Sequence, residues 1–373
     1  MNRKLSHAAA IKIVLAAVAV LSAPQATGTS RYATRLLGYR PAPGQFMNLE
    51  ITTDSLAVLG PVDSVSDSDE QATSGLVSLG NFGGYLILAF DTPVENNPQN
   101  PYGVDFTIFG NSIGLSSCEP AAVQVMVDEN GNGLPDDGPW LELAGSDYWL
   151  PSTRHNTVFT YQNPLYNVAH QVPFTTNHST SGAVLTADTH TQPYYPDPFL
   201  FESVSAESYS LEGSLIEGAV DMRNPRNITF LKQPAFGYAD NHLTPSSIAL
   251  SGPRNPYFAD ENGAPADGFD ISWAVDGQGN HVELERIDFI RIYNPMSINR
   301  GWLGETSPEI AGVVITEPDP NYTPRDYWLN YLYAPSPQVA KGTTVKLTGI
   351  LFRNGRPCPD APAVYTAVSY RHL

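Results

Sequence analysis

The sequence predicts an all-β protein: a jelly-roll-like β-sandwich with long ordered loops, followed by a short, incomplete immunoglobulin-like β segment. Three observations predict it. Short apolar or alternating runs recur with turn residues between them at intervals of about 8–12 residues, the rhythm of sandwiches and barrels. A 3.6-residue apolar period is never sustained, so the helical signal shrinks to one turn within Phe269–Val275. The 373 residues include 32 Pro, 30 Gly and 19 Tyr, a composition of turns and of aromatic-rich strands.

Residues 1–26 read as a secretory signal. Arg3, Lys4 and Lys12 supply its basic start, Ile13–Leu21 (IVLAAVAVL) its apolar run, and Ser22–Ala26 (SAPQA) the small residues for cleavage near Ala23 or Ala26. That run is too short to span a bilayer, and no later run of about 20 apolar residues predicts a transmembrane segment. Residues 27–315 then form the sandwich domain, 316–335 a Pro-rich linker and 336–373 a short β module, either an incomplete immunoglobulin-like module or a small appendage packed on the main domain. Within the domain, 27–45 read as an irregular lead-in. Val77–Leu79 and Tyr85–Phe90 flank a turn at Gly80–Gly84, and continuously apolar Tyr85–Phe90 (YLILAF) reads as a strand covered on both faces. Val104–Phe109 alternates, with Val104, Phe106 and Ile108 on one face and Asp105, Thr107 and Phe109 on the other. Ala122–Val127 is a strand, and Trp140–Leu143 pairs back onto it as a hairpin.

Residues 145–200 lack strong periodicity and read as long ordered loops around one strand at Thr157–Tyr161. One or two strands follow in 207–219. Val282–Tyr293 (VELERIDFIRIY) is the second strong apolar block, with a phase slip near Glu285 or Arg286 that indicates a bulge. Val339–Leu351 reads as two short strands turning at Lys341–Gly342.

Charge narrows the partners. Acids outnumber bases 38 to 20, for a net charge of −18. That argues against nucleic acid and anionic membrane surfaces and suits an extracellular protein that holds cations. The sharpest local signal is the loop leaving the Ala122–Val127 strand. In Asp128–Asp137 (DENGNGLPDD), Asp128, Asn130 and Asn132 stand at positions 1, 3 and 5, Gly133 at 6, Leu134 at 7 and Asp136 at 9. Hard cations such as Ca2+ take six to eight oxygens, and loops with this spacing supply them, with a backbone carbonyl at position 7 and a glycine for the sharp turn at 6. Pro139 stands where the acid of position 12 belongs, so Asp137 or Glu142 must substitute. The same residues also make plain metal-free turns.

A second acidic group runs through Asp260, Glu261, Asn262, Asp267, Asp270 and Asp276. Asp267 and Asp270 are its candidate cation pair, against the plainer reading of a solvated turn. His155, His170, His178 and His190 lack zinc-site spacing, and no HExxH occurs. Glu119, Glu142, Asp147 and Asp270 are available as carboxylates for glycoside cleavage, but only the fold decides which pair approaches. Tyr148, Trp149, Tyr161, Tyr166, Tyr194, Tyr195, Trp273 and Trp302 are candidates for flat platforms that take sugars or planar rings, against the alternative that they fill the core. The expected ligand-binding face combines Tyr148, Trp149, His190, Tyr194, Tyr195, Asp270 and Trp273, with His190 or His170 as an axial contact to a tetrapyrrole. Cys118 and Cys358 form one disulfide if geometry permits, or stay separate.

Several runs together resemble a group of bacterial cell-surface proteins common in Bacteroidetes-type bacteria. They are APGQF (Ala42–Phe46), LGNFGGYLILAFDTPV (Leu79–Val94), DFTIFGN (Asp105–Asn111), EPAAVQVMVDENGNGLPDD (Glu119–Asp137), WLELAGSDY (Trp140–Tyr148), HTQPYYP (His190–Pro196), FGYADN (Phe236–Asn241), GFDISWAVDGQGN (Gly268–Asn280), IDFIRIYN (Ile287–Asn294) and GWLGETSPEIAGV (Gly301–Val313). The resemblance covers roughly residues 38–315. It implies secretion or lipid anchoring, a calcium-bearing β-sandwich and, for some members, a link to outer-membrane receptors that import cofactors such as cobalamin. No cysteine follows the apolar leader, which departs from the anchored members. The expectation is therefore a secreted, periplasmic or surface protein that binds Ca2+ and a glycan or tetrapyrrole-type ligand without catalysis. The alternatives are a secreted carbohydrate-active enzyme using a carboxylate pair, and a structural spacer.

Overall fold

A computed structural model describes residues 29–62, 75–112, 118–221, 229–242, 255–261, 264–333 and 348–358. The signal segment and the turn at Lys341–Gly342 lie outside them. The protein is mainly β-strand in several antiparallel sheets. Among the described residues no helix is long and apolar enough to cross a membrane.

Two sheets form the sandwich. The six-stranded sheet runs in the order β1 (Arg35–Arg40), β3 (Tyr85–Glu95), β16 (Arg286–Tyr293), β5 (Ala122–Met126), β6 (Leu141–Leu143) and β15 (Ala274–Val275). The five-stranded sheet runs β13 (Phe258–Glu261), β14 (Ala264–Phe269), β4 (Phe106–Gly110), β17 (Glu309–Ile315) and β2 (Val77–Ser78). Alternation puts Leu86, Leu88, Val123, Val125, Ile290 and Ile292 of the first sheet into one core with Phe106, Ile108, Val313 and Phe269 of the second. The faces read from Val104–Phe109 are the ones found, because Phe109 leaves that core for a smaller cluster with Ile51 of the short helix α1 (Glu50–Thr53).

The hairpin from β5 to β6 pairs Gln124 with Glu142 and Val125 with Leu141. The bulge in β16 falls between Ile287 and Phe289, just beyond the expected slip, because Glu283–Glu285 lie before the strand. Two other expectations change. Arg35–Arg40 is a paired edge strand, where an irregular lead-in was expected. Residues 145–200 contain β7 (Arg154–Gln162), β8 (Val172–Thr176) and β9 (Ser181–Val184), which join β10 (Ser208–Leu215) in a four-stranded sheet. A two-stranded pair, β11 (Ala219–Asp221) and β12 (Phe230–Leu231), follows.

At the C-terminal end, β18 (Trp328–Tyr333), β19 (Thr348–Arg353) and β20 (Arg356–Pro357) form a three-stranded sheet. β18 begins inside the stretch read as linker. Tyr331 and fully buried Phe352 enter the main core, with Phe352 edge-on to Phe236 at 5.0 Å. The hairpin is therefore packed on the sandwich.

The turn before β3 shows how tightly the chain is drawn in. A Cβ on Gly84 would lie 1.9 Å from the Leu79 carbonyl oxygen and 2.5 Å from Ala42 N, both backbone atoms. Gly84→Ala is expected to destabilise the fold by about 2 kcal/mol, the scale of overpacking a filled site. Urea unfolding checks it, and a midpoint equal to wild type refutes it.

Candidate metal loop and buried carboxylates

The loop between β5 and β6 is built around its own side chains. Asp128 Oδ2 accepts from Gly133 N at 2.8 Å and Oδ1 from Asn132 N at 3.1 Å, so position 1 folds onto positions 5 and 6. Gly133 takes φ +75°, which a side chain would resist. Asn130 Oδ1 accepts from Asn132 N at 2.8 Å, and Asn132 Oδ1 from Leu134 N at 2.7 Å. The Asn132 amide lies 3.1 and 3.3 Å from the two Asp136 oxygens, and the Asn130 amide lies against Asp136 and Asp137. Asp137 Oδ2 accepts from Glu129 N at 2.8 Å and Asn130 N at 3.2 Å.

Of the two substitutes for the missing acid, Asp137 is thus the one turned into the loop. Leu134 O accepts from Asp136 N at 3.0 Å. The amides of Asn130 and Asn132 bridge to Asp136 and Asp137, and Asp128 holds the backbone of the exposed loop, while the three carboxylates do not themselves converge to within 4.8 Å of one another; the near cation, Arg35, donates to Gly133 O at 3.3 Å. All five are hard oxygen donors, so the set fits Ca2+. Asp128 N donates to Asp288 on β16 at 2.9 Å, which ties the loop to the sheet.

Glu142 points elsewhere, toward the seam between the six- and four-stranded sheets. It accepts from Ser214 Oγ at 2.9 Å, and Ser214 Oγ also meets His155 Nδ1 at 3.1 Å. Burial raises the Glu142 carboxyl to about 7. The other acids weighed for glycoside cleavage are each engaged separately. Asp147 takes Lys232 Nζ at 3.1 Å, Glu119 takes Arg300 Nη1 at 3.0 Å, and Asp270 caps the turn at Ser272.

The expected ligand-binding face is corrected. Trp273 is 2 % exposed, Tyr194 1 %, Tyr195 4 % and Tyr148 7 %. Their polar ends are satisfied inside the protein: Trp273 Nε1 donates to Asn354 O at 3.0 Å, Tyr195 to Ser205 O at 2.7 Å, and Tyr194 accepts from Ala187 N at 2.8 Å. Buried rings with internal partners offer no face to a ligand. Trp149 is half-buried edge-on to Tyr148, and His190 is half-buried edge-on to Phe46 at 5.1 Å. Of the candidate platforms, Tyr166, stacked on His170 at 3.8 Å, and Trp302 are exposed, as are Phe199 and Trp328 outside that set.

Asp267 and Asp270 also separate. Asp267 accepts from the backbone of Asn241 and His242, whereas Asp270 lies beside Asp105. They share no site because they end β14 on different sides. Of the same group, the side chains of Asp260, Glu261 and Asn262 lie outside the described residues. Cys118 is buried and Cys358 half-buried, and both are free. Cys118 packs with Ile216, Tyr238 and Met296, and burial pushes its thiol up to about 12.

Two features escaped the reading of the sequence. Gly110–Gly114 (GNSIG) has the spacing of a nucleophile elbow, which needs an exposed serine. Ser112 is fully buried, and residues 113–117 lie outside the described residues. The other is a set of buried acids drawn from distant segments, Glu119, Asp240 and Glu309. The fold and the loop define an all-β sandwich with an oxygen-rich loop at a hairpin end. The chain matches no protein-family model, and no curated protein matches it in sequence.

Proposed function

We propose that the chain is a secreted, calcium-binding protein of the bacterial surface that binds a ligand and carries out no chemistry. The observation behind this reading is the Asp128–Asp137 loop, in which the acids and amides expected from spacing alone turn toward one another on a solvent-facing hairpin. The ion would neutralise those carboxylates and order the loop on β16. Membership of the cell-surface group that the sequence resembles is part of the same proposal. With the buried aromatics removed from consideration, recognition of a glycan or tetrapyrrole-type ligand, or of an outer-membrane receptor, falls to exposed loops such as the one carrying Tyr166 and His170.

The test is thermal unfolding with 10 mM CaCl2 against EDTA. Sites of extracellular modules bind with Kd on the order of 10⁻⁴–10⁻³ M, so linkage is worth about 1.5–3 kcal/mol at that concentration. For a domain of this size that is a rise in Tm of roughly 5 °C. Asp128→Ala and Asp137→Asn are expected to abolish the rise. An EDTA scan identical to the calcium scan sinks the reading. A screen of glycans and corrinoids in calcium then addresses the ligand.

A further inference from the structure

The densest group of acids outside the loop lies where three distant segments meet. Glu119 precedes β5, Asp240 follows the Phe236–Tyr238 turn, and Glu309 opens β17. Each brings a carboxylate oxygen within 4.8 Å of the other two. Oxygens that share one hard cation at about 2.3–2.6 Å stand up to about 5 Å apart, so the spacing suits a single ion.

The scaffold holds these acids firmly. Asp240 sits at φ +50°, a backbone state that costs a residue with a Cβ. Its Oδ1 accepts from Asn111 N at 3.0 Å and its Oδ2 from Glu309 N at 3.1 Å. Glu119 N donates to Asp240 O at 3.0 Å, and Ser307 N to Glu119 Oε1 at 3.2 Å. Ser78 Oγ donates to Glu309 Oε1 at 3.0 Å. Gly110 leaves the room, because a Cβ there would lie 2.4 Å from Asp240 Oδ1. Arg300 Nη1 meets Glu119 Oε1 at 3.0 Å. Once an ion displaces their protons, three carboxylates against one guanidinium leave two negative charges, the complement of a divalent cation.

A separate observation points to a ligand. Glu305 is 2 % exposed, and its Oε1 accepts from Gln45 N at 2.7 Å. Its Oε2 is buried with no hydrogen-bond partner. Glu305 stands two residues before Ser307, whose N donates to Glu119 Oε1, so it lies beside the cluster. A buried acid oxygen without a donor, beside three further acids, is short of a positive partner.

We propose that Glu119, Asp240 and Glu309, with Glu305 beside them, form a second divalent-cation site that takes a hard ion of the Ca2+ or Mn2+ class. The ion ties the segments before β5, after Tyr238 and before β17 to one another. Glu119, whose side chain is 13 % exposed, is the entry side.

The test counts ions on the full secreted chain, loaded with CaCl2 or MnCl2, desalted and measured by elemental analysis and calorimetry. Two ions per chain are expected in the wild type and one in Glu309→Gln or Glu119→Gln, variants that keep shape and remove charge. Near-UV circular dichroism checks that they fold. Glu309→Gln and Glu119→Gln binding as many ions as wild type overturns the proposal, since protons then satisfy the cluster. So does a single wild-type ion that Asp128→Ala removes. A single ion that survives Asp128→Ala and is lost in Glu309→Gln supports this site and refutes the loop. Europium luminescence on the wild type gives a check without variants. A long-lived, water-poor population is expected beside the exposed loop site, and a single water-rich population counts against the proposal.

Discussion

Replacing Asp147 with alanine is expected to destabilise the protein by about 3 kcal/mol, the largest loss from a single substitution we foresee outside the hydrophobic core. Asp147 is 1 % exposed and collects three donors. Lys232 Nζ lies 3.1 Å away, the Tyr331 hydroxyl donates at 2.6 Å, and Ser146 Oγ donates at 3.1 Å. Lys232 also sits 4.6 Å from the centre of the Tyr331 ring. Burial lowers the Lys232 pKa and Asp147 pulls it back up, so the carboxylate keeps the ammonium charged in place.

Removing one partner of a buried pair costs about 3–5 kcal/mol, because the other charge loses its nearest counter-charge. The low end applies, since Lys232 keeps 20 % of its side-chain exposure. Unfolding followed by circular dichroism should show Tm lowered by roughly 4 °C for a chain of this size. Asp147→Asn retains an acceptor for Tyr331 and should cost less. Tyr331→Phe should cost about 1 kcal/mol, the worth of one hydrogen bond. Because Tyr331 belongs to β18, Asp147→Ala should also speed proteolysis of the C-terminal hairpin. An Asp147→Ala protein as stable as wild type, with an equally resistant hairpin, contradicts this account.

The strands legible in the sequence are those whose side chains settle their own faces. Val104–Phe109 and Ala122–Val127 alternate because one side meets the core, and the Asp128 loop follows from local spacing because all its contacts are local. Arg35–Arg40 carries little alternation, since no residue of this edge strand is fully buried, and only its partner β3 defines it. Trp328–Tyr333 was hidden by nearby prolines and is completed by β19.

The aromatics were misjudged for a different reason. A tyrosine buried with its hydroxyl paired has the same sequence signature as one on a shelf, and partners such as Ser205 O for Tyr195 appear only in three dimensions. Acids are usually exposed, so sequence carries little sign that Asp105, Asp240, Asp267, Glu305 and Glu309 lie inside. What brings Glu119 to Glu309 is Asp240, far from both in the chain, which takes Glu119 N on its carbonyl and Glu309 N on its side chain.

Those interior acids set the pH response, and its sign is opposite to that of ordinary paired carboxylates. Asp105 is fully buried, and burial, with the Asp270 charge adding to it, raises its carboxyl to about 7. Burial raises Asp270 to about 6. Below about pH 4 such a group is protonated in both folded and unfolded chains, and its contribution to stability is fully present. As pH rises from about 4 to 7, the unfolded chain gives up the proton while the fold retains it, and stability falls. Above about 7 the loss is complete. A rise of about three pKa units corresponds to roughly 4 kcal/mol for Asp105 alone.

In EDTA, urea midpoints are therefore expected to fall between pH 5 and pH 8. Asp105→Asn cannot ionise; it keeps an oxygen to accept from Ile271 N, as Asp105 does at 2.8 Å, and its amide meets Asn100, whose unpartnered oxygen can turn to accept in place of the 2.8 Å bond Asn100 now donates, so the variant should flatten that slope. It should also make the protein more stable than wild type at pH 8, because the variant carries no ionisation to suppress. A wild type that gains stability from pH 5 to 8, or a slope that Asp105→Asn leaves untouched, would mean that the Asp105–Asp270 pair is held ionised in the fold.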